Sequence, residues 1–187
     1  MTGAVYDVVL IAHVAAAVVG FGAIGAGGVE AANGRHSPNP ARDLSLRRFF
    51  RPGRDWAAAV IFIVPLIGLG LLFGGDRGDA SRAWPWIGLC IWTAAAALAT
   101  GVLWPAERRA QRFLAALVAP EEEGHLDGPG PERRAPEPSP SRAPEPSPDR
   151  PGYYLDGFRQ ACAVMERAAG AISLLFLAAV AIMIVQP

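Results

Sequence analysis

Residues 8–28 read VVLIAHVAAAVVGFGAIGAGG, twenty-one positions with one ionisable side chain, His13. About 20 predominantly apolar residues are needed for a helix to cross a hydrocarbon core. Three further stretches have the same character: 56–73, 86–104 and 168–185. Pro65 and Gly68 interrupt the second, which bilayer helices tolerate because neighbours satisfy the freed backbone groups. None shows the period-two alternation of barrel strands. The expected fold is an all-α, four-helix transmembrane bundle, antiparallel, with both termini outside. A cleaved leader fits 8–28 poorly, because its only preceding charge is Asp7 and its apolar run is too long.

The whole-chain composition agrees. Of 187 residues 52% are hydrophobic and 18% charged, with 17 basic side chains against 17 acidic ones. Net neutrality removes the basic excess a nucleic-acid binder needs, so no nucleic-acid partner is expected. Two cysteines do not make a disulfide scaffold. Cys90 and Cys162 moreover fall at opposite ends of the expected spans, too far apart across a ~30 Å core for a ~6 Å disulfide separation.

Arginine placement gives the direction. Arg35, Arg42, Arg47, Arg48, Arg51 and Arg54 fill the loop between the first two spans, and Arg108, Arg109 and Arg112 follow the third. Positive charge near span ends stays in the cytoplasm. Within the first loop Arg47, Arg48, Arg51 and Arg54 are the expected cytoplasmic anchor, in a stretch that mixes Leu, Phe and Arg as an interfacial helix does. Anionic lipid headgroups are the natural partners of such a stretch. Trp56 and Trp104 mark the cytoplasmic edge, Trp84 and Trp86 the outer one, and Trp92 lies deeper, as a packing residue.

The chain divides into three parts: 1–118 with three spans and a helical extension at 106–118, a proline-rich linker at 119–152, and 153–187 with a second extension and the fourth span. RAPEPSP occurs at 134–140 and again at 142–148, and so polar and proline-rich a segment buries no core and is expected to be extended and disordered, on the cytoplasmic side. Cytoplasmic extensions of the third and fourth spans are expected to pair, with the linker looping out.

His13 is the sharpest functional candidate, because an ionisable side chain within a span usually faces the bundle interior. Ala16, Ala17, Gly20, Ala23 and Gly27 share its helical face, and small residues let helices approach closely. Gly20, Gly27, Gly68 and Gly170 are the expected helix-packing glycines. A histidine hydrogen-bonded to a neighbouring helix is the structural reading; a haem ligand, with Met183 as a soft second axial group, is the functional one. No metal-ligand cluster, catalytic triad or phosphate-binding loop is present in the sequence. Glu166, one helical turn before Gly170, is placed to meet an arginine of another span in an interfacial ion pair.

FRPGRDW at 50–56, VPLIGLG at 64–70, WPAERR at 104–109 and the ending IMIVQP at 182–187 resemble a bacterial family of predicted integral membrane proteins of unknown function. More distantly the chain is similar to four-span proteins grouped around copper-resistance protein D and the haem-binding membrane protoporphyrinogen oxidases. Those carry a histidine early in the first span followed by a glycine, as His13 and Gly20 stand here. The resemblance implies haem b at His13, but this chain offers no histidine partner inside a later span. The leading expectation is a non-enzymatic protein of the bacterial cytoplasmic membrane, acting through lipids, a membrane-protein partner or its own copies. A haem-b redox protein and a small transporter with a wet path from His13 to Glu166 are the alternatives.

Overall fold

The computed structural model describes residues 3–51, 59–74, 82–123 and 151–185, with only the backbone described at 120–123 and 151. They are helical almost throughout, and no strand occurs among them. In chain order come α1 (Gly3–His36), the short α2 (Leu44–Phe49), a 3-10 turn (Val60–Phe62) leading into α3 (Ile63–Gly74), α4 (Ala83–Leu98), a π-helical turn (Ala99–Leu103), α5 (Trp104–Glu123) and α6 (Pro151–Val185). Three helical stretches are long and apolar enough to cross a membrane: Gly3–His36, Ala83–Ala119 and Gly152–Val185. The apolar helix Val60–Gly74 is shorter, about 22 Å at ~1.5 Å per residue. Trp56, at the expected start of that span, lies outside the described residues. This is the make-up of a multi-pass membrane protein.

The helices overshoot the expected spans. α1 has 34 residues and α6 has 35, each about 50 Å long at ~1.5 Å per residue, against a ~30 Å hydrocarbon core. Nothing stops α1 at Gly27 and Gly28, because both are buried against neighbours. It ends where Ser37 N–H turns back to the Gly34 carbonyl (3.3 Å), just before Pro38, whose ring disfavours helical backbone at position 37. α5 likewise runs to Glu123 and α6 begins at Pro151, so both flanks of the expected linker are helix. Its remaining residues, 124–150, lie outside the described ones.

Contacts fix how the long helices meet. Gly34 lies against Cys162, Gly28 against Ala169 and Gly25 near Ser173, while Phe21 stacks on Phe176 at 4.4 Å between ring centroids. The numbering therefore runs in opposite directions along α1 and α6. α3 packs on the other flank of α1, with His13 against Gly68, and the turn leading into it brings Ile61 against Gly20. α5 packs on α6, where Phe113 lies over Gly157.

Two prolines are absorbed in different ways. Pro105 has no N–H to donate to the carbonyl four residues back. Instead of a sharp kink, the chain widens into the π turn before it, where Trp104 N–H bonds to Ala99 O across five residues. Pro65 likewise leaves the Ile61 carbonyl without its usual i+4 donor. The Trp92 indole N–H supplies a replacement at 2.9 Å, tying α4 to the start of α3.

Charge is segregated along the bundle. Apart from Asp7 and Arg82, every ionised residue among those described lies at the end formed by the last turns of α1, α2, α5 and the first turns of α6. The best-buried large side chains cluster there too, with Leu46, Phe158 and Cys162 fully buried and Met165 nearly so. Toward the other end Val8, Ile11, Leu66, Phe73, Leu174 and Ile184 are exposed. Only 11–22% of the most apolar 18-residue window in each of the three long stretches is buried inside the chain, leaving most of that surface uncovered by it.

Candidate functional site

His13 is half-buried on α1. Its ring edge is seated on α3: a Cβ at Gly68 would stand 3.0 Å from His13 Cε1, 3.6 Å from Nδ1 and 3.8 Å from Nε2. The backbone of Val64, one turn earlier on the same face of α3, lies toward the ring. Its approach falls short of a well-formed hydrogen bond, and Nδ1 is buried with no partner of good geometry. The missing side chain at Gly68 is what lets the imidazole reach the α3 backbone. This arrangement keys α1 against α3 at His13 and Gly68.

The Cε1 edge of the His13 ring, the candidate haem ligand, faces Gly68. Met183 comes level with His13 by the α1–α6 register, yet its side chain is half exposed and the packed edge of His13 is turned to α3. Among the described residues no group of three or more His, Cys, Asp or Glu could hold a metal ion. Cys90 and Cys162 are both free thiols.

The polar contacts lie at the charged end. Arg35 of α1 pairs with Glu166 of α6 (Nη1–Oε2 2.9 Å), both about one-third exposed. Such a pair contributes at most about 1 kcal/mol, and it fixes how α1 slides against α6. Arg159 Nη2 donates to Ser37 O at 3.4 Å, placing a cation beyond the last carbonyls of α1 where the helix dipole favours it. Asp43 caps α2, accepting from Ser45 N (3.0 Å), Ser45 Oγ (2.7 Å) and Leu46 N (3.4 Å). The Ser45 hydroxyl does most to hold the Asp43 carboxyl below its ordinary range, with the two backbone N–H groups adding to it.

α2 has two unlike faces. Leu46 and Phe50 point inward, Phe50 meeting Phe158 edge-on at 5.5 Å between centroids. Leu44, Arg47, Arg48 and Arg51 remain exposed. The fourth expected anchor, Arg54, lies outside the described residues.

The four glycines singled out by sequence fare differently. Gly20, Gly27 and Gly68 each touch a neighbouring element. Gly170 does not: it is exposed, with open space where a Cβ would project, because Ala168, Ala169 and Ile172 form the inward face of α6. Packing within the chain is therefore corrected from Gly170 to its neighbours. A closer approach occurs at Gly28, where a Cβ would lie 2.7 Å from that of Ala169, and Gly34 is also tight, a Cβ there lying 3.2 Å from Cys162 Sγ and the Phe158 ring. Gly20, Ile24, Gly27, Gly28, Ala31 and Gly34 are the buried residues of α1, and their steps of three and four mark one helical face. Between His13 and Glu166 the interior is filled by Ile24, Ala31, Ile61, Met165 and Ala169, and no polar or charged residue is fully buried among those described.

No protein-family model matches this chain, and none of the curated proteins or solved structures matches it either.

Proposed function

We propose that the chain is a four-span membrane bundle, with α1, α3 together with the turn before it, α4–α5 and α6 crossing a bacterial cytoplasmic membrane. Both termini are then outside and the charged end is cytoplasmic. It works without catalysis, through lipids, a membrane-protein partner or its own copies. One observation carries this reading: ionised side chains collect at a single end of helices whose remaining surface is apolar and mostly unburied. A bilayer rewards that segregation, since positive flanks stay in the cytoplasm and apolar faces need no protein cover. A packed apolar interior between His13 and Glu166 favours this reading over transport.

Alkaline-carbonate extraction of membranes from expressing cells tests it. The chain is expected to remain in the pellet and to be released only by detergent. Recovery in the carbonate supernatant would show a peripheral or soluble protein and end the proposal.

A further inference from the structure

We infer that the exposed arginines at the charged end form a docking surface for the anionic headgroups of the surrounding bilayer, with α2 lying as an interfacial helix. The inference rests on the membrane reading above and specifies the lipid it favours.

Three observations converge on it. First, Leu44 and Arg48 share the outward face of α2 one turn apart, with Arg47 beside them and Arg51 exposed just past its end, while Leu46 and the C-capping Phe50 pin the opposite side to the bundle. An exposed leucine (67%) among arginines is the arrangement that sinks an apolar residue at the acyl boundary and keeps cations at headgroup level. Second, α5 repeats the pattern. Arg108, Arg109 and Arg112 are exposed, while Ala106, Ala110 and Leu114 on the other side are buried. They begin one turn beyond Trp104, the aromatic expected at the interface.

Third, most of the acids whose side chains are described at this end are engaged or half-buried. Asp43 is engaged in capping α2, Glu166 pairs with Arg35, and Glu30 and Glu107 are half-buried. Among the side chains described as exposed at this end, Asp156 is the only acid, beside Arg48, Arg51, Arg108, Arg109, Arg112 and Arg167. The guanidinium fork matches a phosphate bidentately, which a lysine ammonium does not, and every basic residue in this chain is arginine. The bilayer is the occupant these features favour over an acidic protein, because the arginines follow helices that emerge from the apolar zone and are accompanied by an exposed apolar side chain.

The test uses the full chain purified in mild detergent and titrated with dioleoyl phosphatidylglycerol or dioleoyl phosphatidylcholine. Retained lipid is read by native mass spectrometry, with inorganic phosphate as competitor. We expect phosphatidylglycerol to be retained several-fold over phosphatidylcholine. The preference should fall at least threefold in Arg47→Gln/Arg48→Gln/Arg51→Gln, persist in Arg82→Gln at the opposite end, and withstand millimolar phosphate. Arg108→Gln/Arg109→Gln/Arg112→Gln gives a second reading should the first variant fail to fold. Equal retention of the two lipids, a preference unchanged in both triple variants, or displacement by free phosphate would overturn the inference. Carbonate release would instead remove the membrane reading beneath it.

Discussion

Phe158→Ala is expected to lower the stability of the purified protein by about 3–5 kcal/mol, the usual cost of truncating a buried aromatic. The ring is fully buried at the first turns of α6, meets Phe50 edge-on and fills the space beside Gly34. Its removal loosens α1, α2 and α6 at once. The position matters as much as the volume. In lipid, helix association has no hydrophobic driving force, because acyl chains are as apolar as leucine. At the charged end, where the bundle meets water on the proposed reading, burial of an aromatic stabilises in full. Unfolding in detergent, followed by helical circular dichroism, measures the effect, and Tyr153→Ala, at an exposed ring of the same helix, should change little. Equal effects at the two positions would mean that the core is not centred where Phe158 lies.

A second large effect is expected at Gly28. An added methyl would stand 2.7 Å from the Ala169 Cβ, and neither group is the tip of a flexible side chain that can turn aside. Gly28→Ala is therefore expected to cost about 1–3 kcal/mol, the range for overpacking a closely fitted site. Ala169→Gly in the same chain removes the opposing methyl and should restore most of the loss. Gly22→Ala and Gly170→Ala, with open space at both positions, should be nearly neutral. Thermal unfolding of these single variants and of the double variant decides it. No rescue by Ala169→Gly would contradict the α1–α6 packing.

Much of the architecture can be read from the chain because its apolar and charged residues are separated along the sequence. Block length identifies the long helices, and arginine position identifies the end at which charge collects. Helix faces are less legible, for a physical reason. A segment apolar on all sides carries no amphipathic stripe, so small residues at helical spacing mark where a close approach is possible without saying which of them makes it. Gly20, Gly27 and Gly68 lie on contacting faces, whereas Gly170 is rotated away beside the buried Ala168 and Ala169. Gly27 and Gly28 close the first apolar block as a helix end would, yet Gly28 instead sits at a close approach of α1 to α6.

Backbone repairs are harder still to foresee. The replacement donor for Ile61 is a tryptophan 31 residues away, and the π turn answers Pro105 through a five-residue hydrogen bond that leaves no residue signature. His13 is marked by its chemistry as the one ionisable group inside the first apolar stretch. Its seat on Gly68 depends on how α1 and α3 are aligned, which no local pattern encodes.

The central claim is that α1 crosses the bilayer with its charged end in the cytoplasm. Single cysteines placed at either end of this helix, Gly3→Cys and Asn33→Cys, both at exposed positions, test it in a Cys90→Ser/Cys162→Ser background. Intact cells are treated with a membrane-impermeant maleimide and compared with inverted vesicles. Labelling of the position-3 variant in cells, and of the position-33 variant in inverted vesicles alone, is the predicted result. Labelling of the position-33 variant in intact cells would contradict it.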